Sequence, residues 1–153
     1  MEYFRVLVVD DEEVFLKTLV NRLNKRNIDT TGVLSGEDAV DLMKEKLFDV
    51  VILDIKMPGG MDGIETLREI KKIQPLAEVI LLTGHASVET SIEGMKLGAF
   101  DYLLKPIKLE ELLVKLADAF EKKDAHEQKI RSAKIRELVR FPGRVLEQEK
   151  EED

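Results

Sequence analysis

The chain has 153 residues, a formal net charge of −7, 44% apolar and 5% aromatic residues and no tryptophan, which suits a single domain with an aliphatic α/β core. It has no cysteine, which excludes a disulfide framework and a thiolate metal site and makes a reducing cytoplasm the expected compartment. No run reaches the ~18 apolar residues of a membrane span, the N-terminus lacks a signal peptide's basic and apolar regions, and the acidic balance argues against nucleic acid as the main partner.

The first apolar run, Val6-Leu7-Val8-Val9, ends at Asp10-Asp11 and reads as a strand buried on both faces of a parallel sheet. Phe15, Leu16, Leu19, Val20 and Leu23 then recur at helical steps. The second strand, Asp29–Val33, contains Gly32 and two threonines, which suggests a sheet edge. Ser35 with Asp38 three residues on forms an acidic capping box that opens a helix burying Ala39, Val40 and Met43. The third strand, Val50-Val51-Ile52-Leu53, ends at Asp54, and a helix after Gly63 turns Ile64, Leu67 and Ile70 inward before stopping ahead of Pro75. The fourth strand, Val79-Ile80-Leu81-Leu82, ends at Thr83 and leads to a helix from about Ser87 that carries Val88, Ile92 and Met95 and ends at Gly98, a left-handed cap. The fifth, Tyr102-Leu103-Leu104, ends at Lys105-Pro106 ahead of a helix with Leu109, Leu112, Leu113, Leu116 and Phe120 on one stripe.

Strands alternating with helices predict a doubly wound α/β fold, a five-stranded parallel sheet with right-handed crossovers and strand order 2-1-3-4-5. Ligands bind beyond the carboxyl ends of such strands, at the switch point, here between strands one and three. Asp10, Asp11, Asp54, Thr83 and Lys105 would therefore share one rim. Singly, each has an ordinary explanation: a helix cap, a loop aspartate, turn chemistry, a solvated lysine. Together, three carboxylates, a hydroxyl and an ammonium suit a divalent cation and a phosphoryl group.

The segments Val8-Val9-Asp10-Asp11-Glu12, Leu53-Asp54-Ile55-Lys56-Met57-Pro58, Leu82-Thr83-Gly84-His85-Ala86 and Gly98 through Pro106 resemble the receiver domain of two-component response regulators. The likeness covers about residues 4–120, and the stretch from Leu82 to Ile107 looks most like receivers of nitrogen-regulation-type activators. The resemblance implies a flavodoxin-like receiver fold and a role for each matching residue. Asp54 would take a phosphoryl group from a phosphohistidine on a sensor histidine kinase or phosphotransfer protein. Asp11, Asp54 and the Lys56 carbonyl would hold Mg²⁺ directly, with Asp10 acting largely through water. Lys105, ahead of a cis peptide to Pro106, would pair with a phosphoryl oxygen. Thr83 would donate its hydroxyl to the phosphoryl group beside the open space at Gly84, and Tyr102 would turn inward as Thr83 moves. Catalysis would be confined to the protein's own phosphorylation and slow dephosphorylation, so it would not be an enzyme in the ordinary sense.

One departure from the family pattern is an additional glycine in Pro58-Gly59-Gly60-Met61-Asp62-Gly63, after the metal-binding carbonyl, which bears on the rim a kinase or phosphatase would touch. Lys56 and His85, each two residues past a key site, are placed to affect water access; neither His85 nor His126 reads as a metal ligand.

Residues 1–120 are expected to form the receiver domain, and 121–153 a charged extension, helical to about 141 and disordered beyond. Residues 121–146 carry eight Lys/Arg and four Asp/Glu, residues 147–153 one Lys and five acids; the balances of +4 and −4 cancel and leave the whole −7 in residues 1–120. The sparse stripe Ile130, Ile135, Leu138 and Phe141 fits either a solvated extension of helix five or a helix that docks or self-associates; the segment is too short for a helix-turn-helix module. The expected output is an interaction surface on helix four, strand five and helix five, toward a protein target or a second copy. The alternative is the receiver part of a DNA-binding transcription regulator whose effector is absent from this chain. A hydrolase that uses Asp54 as nucleophile is a third reading, disfavoured because no second domain closes over the site.

Overall fold

The structure is a computed structural model, and it describes residues 4–84 and 88–140. Five strands, β1 (Arg5–Val9), β2 (Asp29–Val33), β3 (Val50–Asp54), β4 (Glu78–Thr83) and β5 (Asp101–Leu104), alternate with five helices, α1 (Glu13–Lys25), α2 (Gly36–Met43), α3 (Gly63–Ile73), α4 (Val88–Lys96) and α5 (Leu109–Arg140). The strands are parallel in the order β2-β1-β3-β4-β5, the predicted fold class.

Strand side chains alternate between faces, and the sheet divides its apolar residues accordingly. Leu7, Val9, Val51, Leu53, Val79 and Leu81 pack with Ala39, Met43, Leu67 and Ile70 from α2 and α3. Val6, Val8, Val50, Ile52, Ile80 and Leu82 pack with Leu16, Leu19 and Leu23 of α1 and Leu112 and Leu116 of α5. Each fully buried aliphatic side chain contributes roughly 1.5–3 kcal/mol, so the paired cores hold the strands in register with one another.

Helix ends follow the local chemistry. The Ser35 hydroxyl accepts from the Asp38 N–H at 3.1 Å, and the Asp62 carboxylate caps α3 by accepting from the Glu65 N–H at 2.8 Å. Gly98 has φ +105°, the left-handed conformation that closes α4. The stripe of α4 differs from expectation: Val88, Ile92 and Met95 are exposed, and the helix buries Ser91 and Gly94 instead. The reason is closeness, since a Cβ on Gly94 would lie 2.4 Å from Leu81 Cδ1. Small residues let α4 lie against β4, which leaves its larger apolar residues on the outer face.

The compact unit runs to Lys123, held by Lys123 Nζ 2.5 Å from Asp49 Oδ1 and Lys122 Nζ 3.6 Å from Glu78 Oε2. A second unit begins at Asp124, and its described part, residues 124–140, is the remainder of α5. There Ile130, Ile135, Leu138 and Val139 are exposed. Phe141 and the expected disorder beyond it lie outside the described residues, as does the start of the fourth helix at Ser87.

Candidate functional site

Strand register builds the rim. Val9 lies opposite Leu53 and Asp54 opposite Leu82, so Asp10, the next residue after Val9, emerges beside Asp54. Thr83 pairs with Leu104, and the Lys105 N–H donates to the Thr83 carbonyl at 2.8 Å, which brings the ammonium of Lys105 to the same end. Carboxylate oxygens of Asp10, Asp11 and Asp54 all lie within 4.8 Å of one another. Lys105 Nζ is 2.9 Å from Asp10 Oδ2 and 3.5 Å from Asp54 Oδ2. The peptide bond from Lys105 to Pro106 is cis.

These groups sit at the edge of the core. Asp10 is 0% exposed, Asp54 5% and Thr83 1%, while Asp11 is exposed. Burial raises the Asp54 carboxyl to about 6, and the charge of Asp10 adds to the rise; Lys105 and the Lys56 N–H, which donates to Asp54 Oδ1 at 3.2 Å, oppose it. Burial alone would lower Lys105, but its hydrogen bond to Asp10 and the negative charge of Asp54 hold it above the ordinary lysine value. One ammonium does not neutralise three crowded carboxylates. A set of hard oxygen donors with surplus negative charge fits a divalent cation of the Mg²⁺ type: Asp11, Asp54 and the Lys56 carbonyl would hold it, with Asp10 behind them.

The remaining candidates are placed as follows. The Thr83 hydroxyl donates to the Gly84 carbonyl at 3.0 Å, and a Cβ on Gly84 would meet nothing within 4 Å. Tyr102, on the edge strand β5, is 36% exposed. His85 lies outside the described residues, and His126 stands in the second unit on an exposed turn of α5.

Two features were not legible in the sequence. The additional glycine belongs to a turn in which Gly59 and Gly60 both have positive φ, +79° and +81°, and the Glu37 carboxylate reaches from α2 to accept the Met61 N–H. That hydrogen bond holds the Glu37 carboxyl below its ordinary value. A Cβ on Gly60 would lie 2.5 Å from Glu37 Oε1 and would strain a backbone with φ +81°, so glycine suits this closure. The second feature is Phe15, read from its spacing as core. It lies on the first turn of α1 with Lys105 Nζ over its ring, 4.7 Å from the centroid. Neither contact leaves a signal, because each joins segments far apart in sequence.

Residues 6–117 match the family model described as the response regulator receiver domain. The chain is 39% identical over 121 residues to the transcriptional regulatory protein ZraR of Salmonella typhimurium, an alignment that takes in 79% of this chain and 26% of that protein. It thus spans about a quarter of the length of the curated relatives it matches. Among solved structures it resembles a receiver domain protein from Clostridium thermocellum, with a TM-score of 0.76, 36% identity and coverage of 80% of this chain and 98% of that one. It also resembles the receiver domain of NtrX from Brucella abortus, with a TM-score of 0.72, 31% identity and coverage of 76% and 98%. ZraR and NtrX are of the nitrogen-regulation type that the segment from Leu82 to Ile107 suggested. The chain belongs to the response regulator receiver domain family.

Proposed function

We propose that this chain is the phospho-accepting receiver of a two-component or phosphorelay pathway, with Asp54 as the acceptor. The observation that carries the reading is the placement of Asp54, a buried carboxylate at the end of β3 between two other carboxylates and the Lys105 ammonium. An Asp54 oxygen attacks phosphorus, the phosphorus–nitrogen bond of a donor phosphohistidine breaks, and the phosphoryl group remains on Asp54 as an acyl phosphate. With its pKa near 6, Asp54 is ionised at neutral pH and able to attack. Lys105 turns from its hydrogen bond to Asp10 and its ion pair with Asp54 to a phosphoryl oxygen, and the Thr83 hydroxyl exchanges the Gly84 carbonyl for another. Mg²⁺, when bound, neutralises charge on the transferring group. Loss of the acyl phosphate to water is slow and self-catalysed, and Lys56 stands where it affects access to the phosphorus.

The test is thermodynamic as well as chemical. Mg²⁺ raises the melting temperature, with a free energy that grows as RT ln(1 + [Mg²⁺]/Kd), about 2.7 kcal/mol at one hundred times Kd. Asp11→Ala removes most of that gain. A wild-type melting temperature that ignores Mg²⁺ into the tens of millimolar overturns the metal assignment, and absence of acid-labile, base-labile labelling by a small acyl phosphate donor overturns the acceptor assignment.

For the output, the exposed apolar residues Ile92 and Met95 of α4, Tyr102 and Leu104 of β5 and Val114 of α5 support a phosphorylation-dependent surface for a protein target or a second copy. The exposed Ile130, Ile135 and Leu138 give residues 124–140 an apolar stripe, and a lone helix of that length is marginal in water. An acyl-phosphate mimic with Mg²⁺ is expected to shift the oligomeric mass or protect the amides of 124–140 from hydrogen exchange. Truncation after Lys123, which keeps the pairs to Asp49 and Glu78, erases the shift and leaves labelling intact. Scattering and exchange profiles unchanged by the mimic return the segment to a solvated helix.

A second reading of the output follows the likeness to the transcriptional regulatory protein ZraR: the receiver part of a DNA-binding transcription regulator whose effector is absent from this chain. The mass of the native protein in cells separates the two. No helix among the described residues is long and apolar enough to cross a membrane.

A further inference from the structure

We infer that Phe15 is a positioning residue for phosphotransfer, acting through Lys105. The inference rests on the proposed role of Asp54 as phosphoacceptor, and it adds an uncharged group to the site. Among the described residues, Lys105 Nζ lies 2.9 Å from Asp10 Oδ2, 3.5 Å from Asp54 Oδ2 and 4.7 Å from the centroid of the Phe15 ring, and it also feels the charge of Glu12. The Lys105 side chain is 22% exposed, so the contact is partly withdrawn from water, where the attraction of an ammonium to an aromatic face is stronger. The ring itself is half-buried and packed on one side against the core formed by α1 and α5, while on another it lines a small pocket with Thr18, Leu19, Arg22, Ile107 and Leu109. It is thus a wall held by the core from one side.

These neighbours do different work. A lysine ammonium has three N–H donors and no acceptor. The hydrogen bond to Asp10 occupies one of them, and the Asp54 carboxylate, at ion-pair distance, draws another; a phosphoryl oxygen competes with both. Phe15 attracts the charge without occupying a donor. When the phosphoryl group arrives on Asp54, Lys105 can release both carboxylates and still be held by the ring face, with its N–H groups free to turn to the new oxygens. A lysine stem has four rotatable carbons and much rotamer freedom; without the ring, the nearest groups described around this ammonium are the carboxylates it must leave. Phe15 therefore limits where Lys105 goes at the moment it changes partners.

The experiment replaces Phe15 alone with a series of progressively fluorinated phenylalanines, introduced site-specifically in the full chain. These keep ring shape and drain negative charge from the face. With acetyl phosphate and Mg²⁺, the labelling rate at saturating donor is expected to fall stepwise by about threefold to tenfold across the series, the range for a partly desolvated cation–π contact. The donor concentration for half-maximal rate is expected to stay nearly constant, and the melting temperature to fall by no more than about 5 °C, the loss of a single contact of this kind. In a Lys105→Ala background the series has no further effect, because the ring acts only through the ammonium. The Lys105 ε-methylene protons are shifted upfield by the ring in the unmodified protein and return to the random-coil position in Phe15→Leu. If the unmodified chain is not labelled, the acceptor role fails and takes the inference with it. If it is labelled, a flat fluorination series, or the same slope with and without Lys105, reduces Phe15 to a core residue and overturns the inference while leaving the acceptor role intact. Misfolding of the leucine variant does not rescue it, since the fluorinated rings preserve the packing.

Discussion

Asp54→Asn abolishes labelling by acetyl phosphate or a cognate kinase and, at neutral pH, raises the melting temperature of the protein that has lost its acceptor. The amide has no anionic oxygen for attack on phosphorus, so the loss of labelling is complete, and undiminished incorporation would move the nucleophile elsewhere. The stability gain follows from the carboxyl's raised pKa, about 6 against 3.8 in an unfolded chain. Below about pH 3.8 both states hold the proton and the position costs nothing. As the pH rises toward 6 the unfolded chain ionises first, and stability is lost until the pH passes the folded value. The full difference corresponds to about 3 kcal/mol, which water at the rim reduces to about 1 to 2 kcal/mol. The gain in Asp54→Asn should therefore be largest near neutrality, shrink between pH 6 and pH 4 and vanish below. A gain of equal size at low pH would show that charge is not its source.

Gly63→Ala is the most damaging single-methyl change expected in the receiver. A Cβ there would lie 2.5 Å from both Cα and O of Ile55 and 2.8 Å from the carbonyl oxygen of Asp54, all of them backbone atoms without rotamers to yield. The Gly63 N–H also donates to the Ile55 carbonyl at 3.1 Å, so α3 begins pressed onto the chain leaving β3. Relief requires moving that chain or the helix, at about 3 kcal/mol, roughly 10 °C in melting temperature for a unit of this size. The displaced residues are Asp54 and its neighbours, so labelling slows even where the protein remains folded. Asp62, which caps α3, gives the contrast: Asp62→Ala removes one exposed hydrogen bond at about 1 kcal/mol. A Gly63→Ala variant as stable and as fast as the parent would mean the close approach is not maintained in solution.

The strands and their order were legible because buried parallel strands are written as continuous apolar runs, and the rim followed from where each run stops. The direction of the α4 stripe was not. Val88, Ile92 and Met95 have the spacing of a buried face, but the site of burial is decided by how near the helix must come to Leu81, and only Ser91 and Gly94 are small enough to meet it. The contacts of Glu37 with Met61 and of Phe15 with Lys105 were hidden for a related reason. A carboxylate at the first turn of a helix is already explained by the helix dipole, and an aromatic at a helical step is already explained by the core. Each residue has a sufficient local account, and its second role depends on a partner that the fold supplies. The paired lysines at 122 and 123 read as part of a solvated basic run until Asp49 and Glu78 came beside them.

Because Lys105 follows the last strand of the sheet, the order of synthesis and the order of the site are linked. A ribosome delivers the carboxylates at positions 10, 11 and 54 and the hydroxyl at 83 before the single ammonium that answers them. Until β5 has emerged and paired with β4, a nascent chain holds the three carboxylates without the ammonium that pairs with two of them in the finished fold. The sheet's edge thus serves as a clock: a chain stalled or cleaved before Lys105 has the crowded carboxylates but not their partner, and on the proposed reading only a polypeptide translated past that point would answer a kinase.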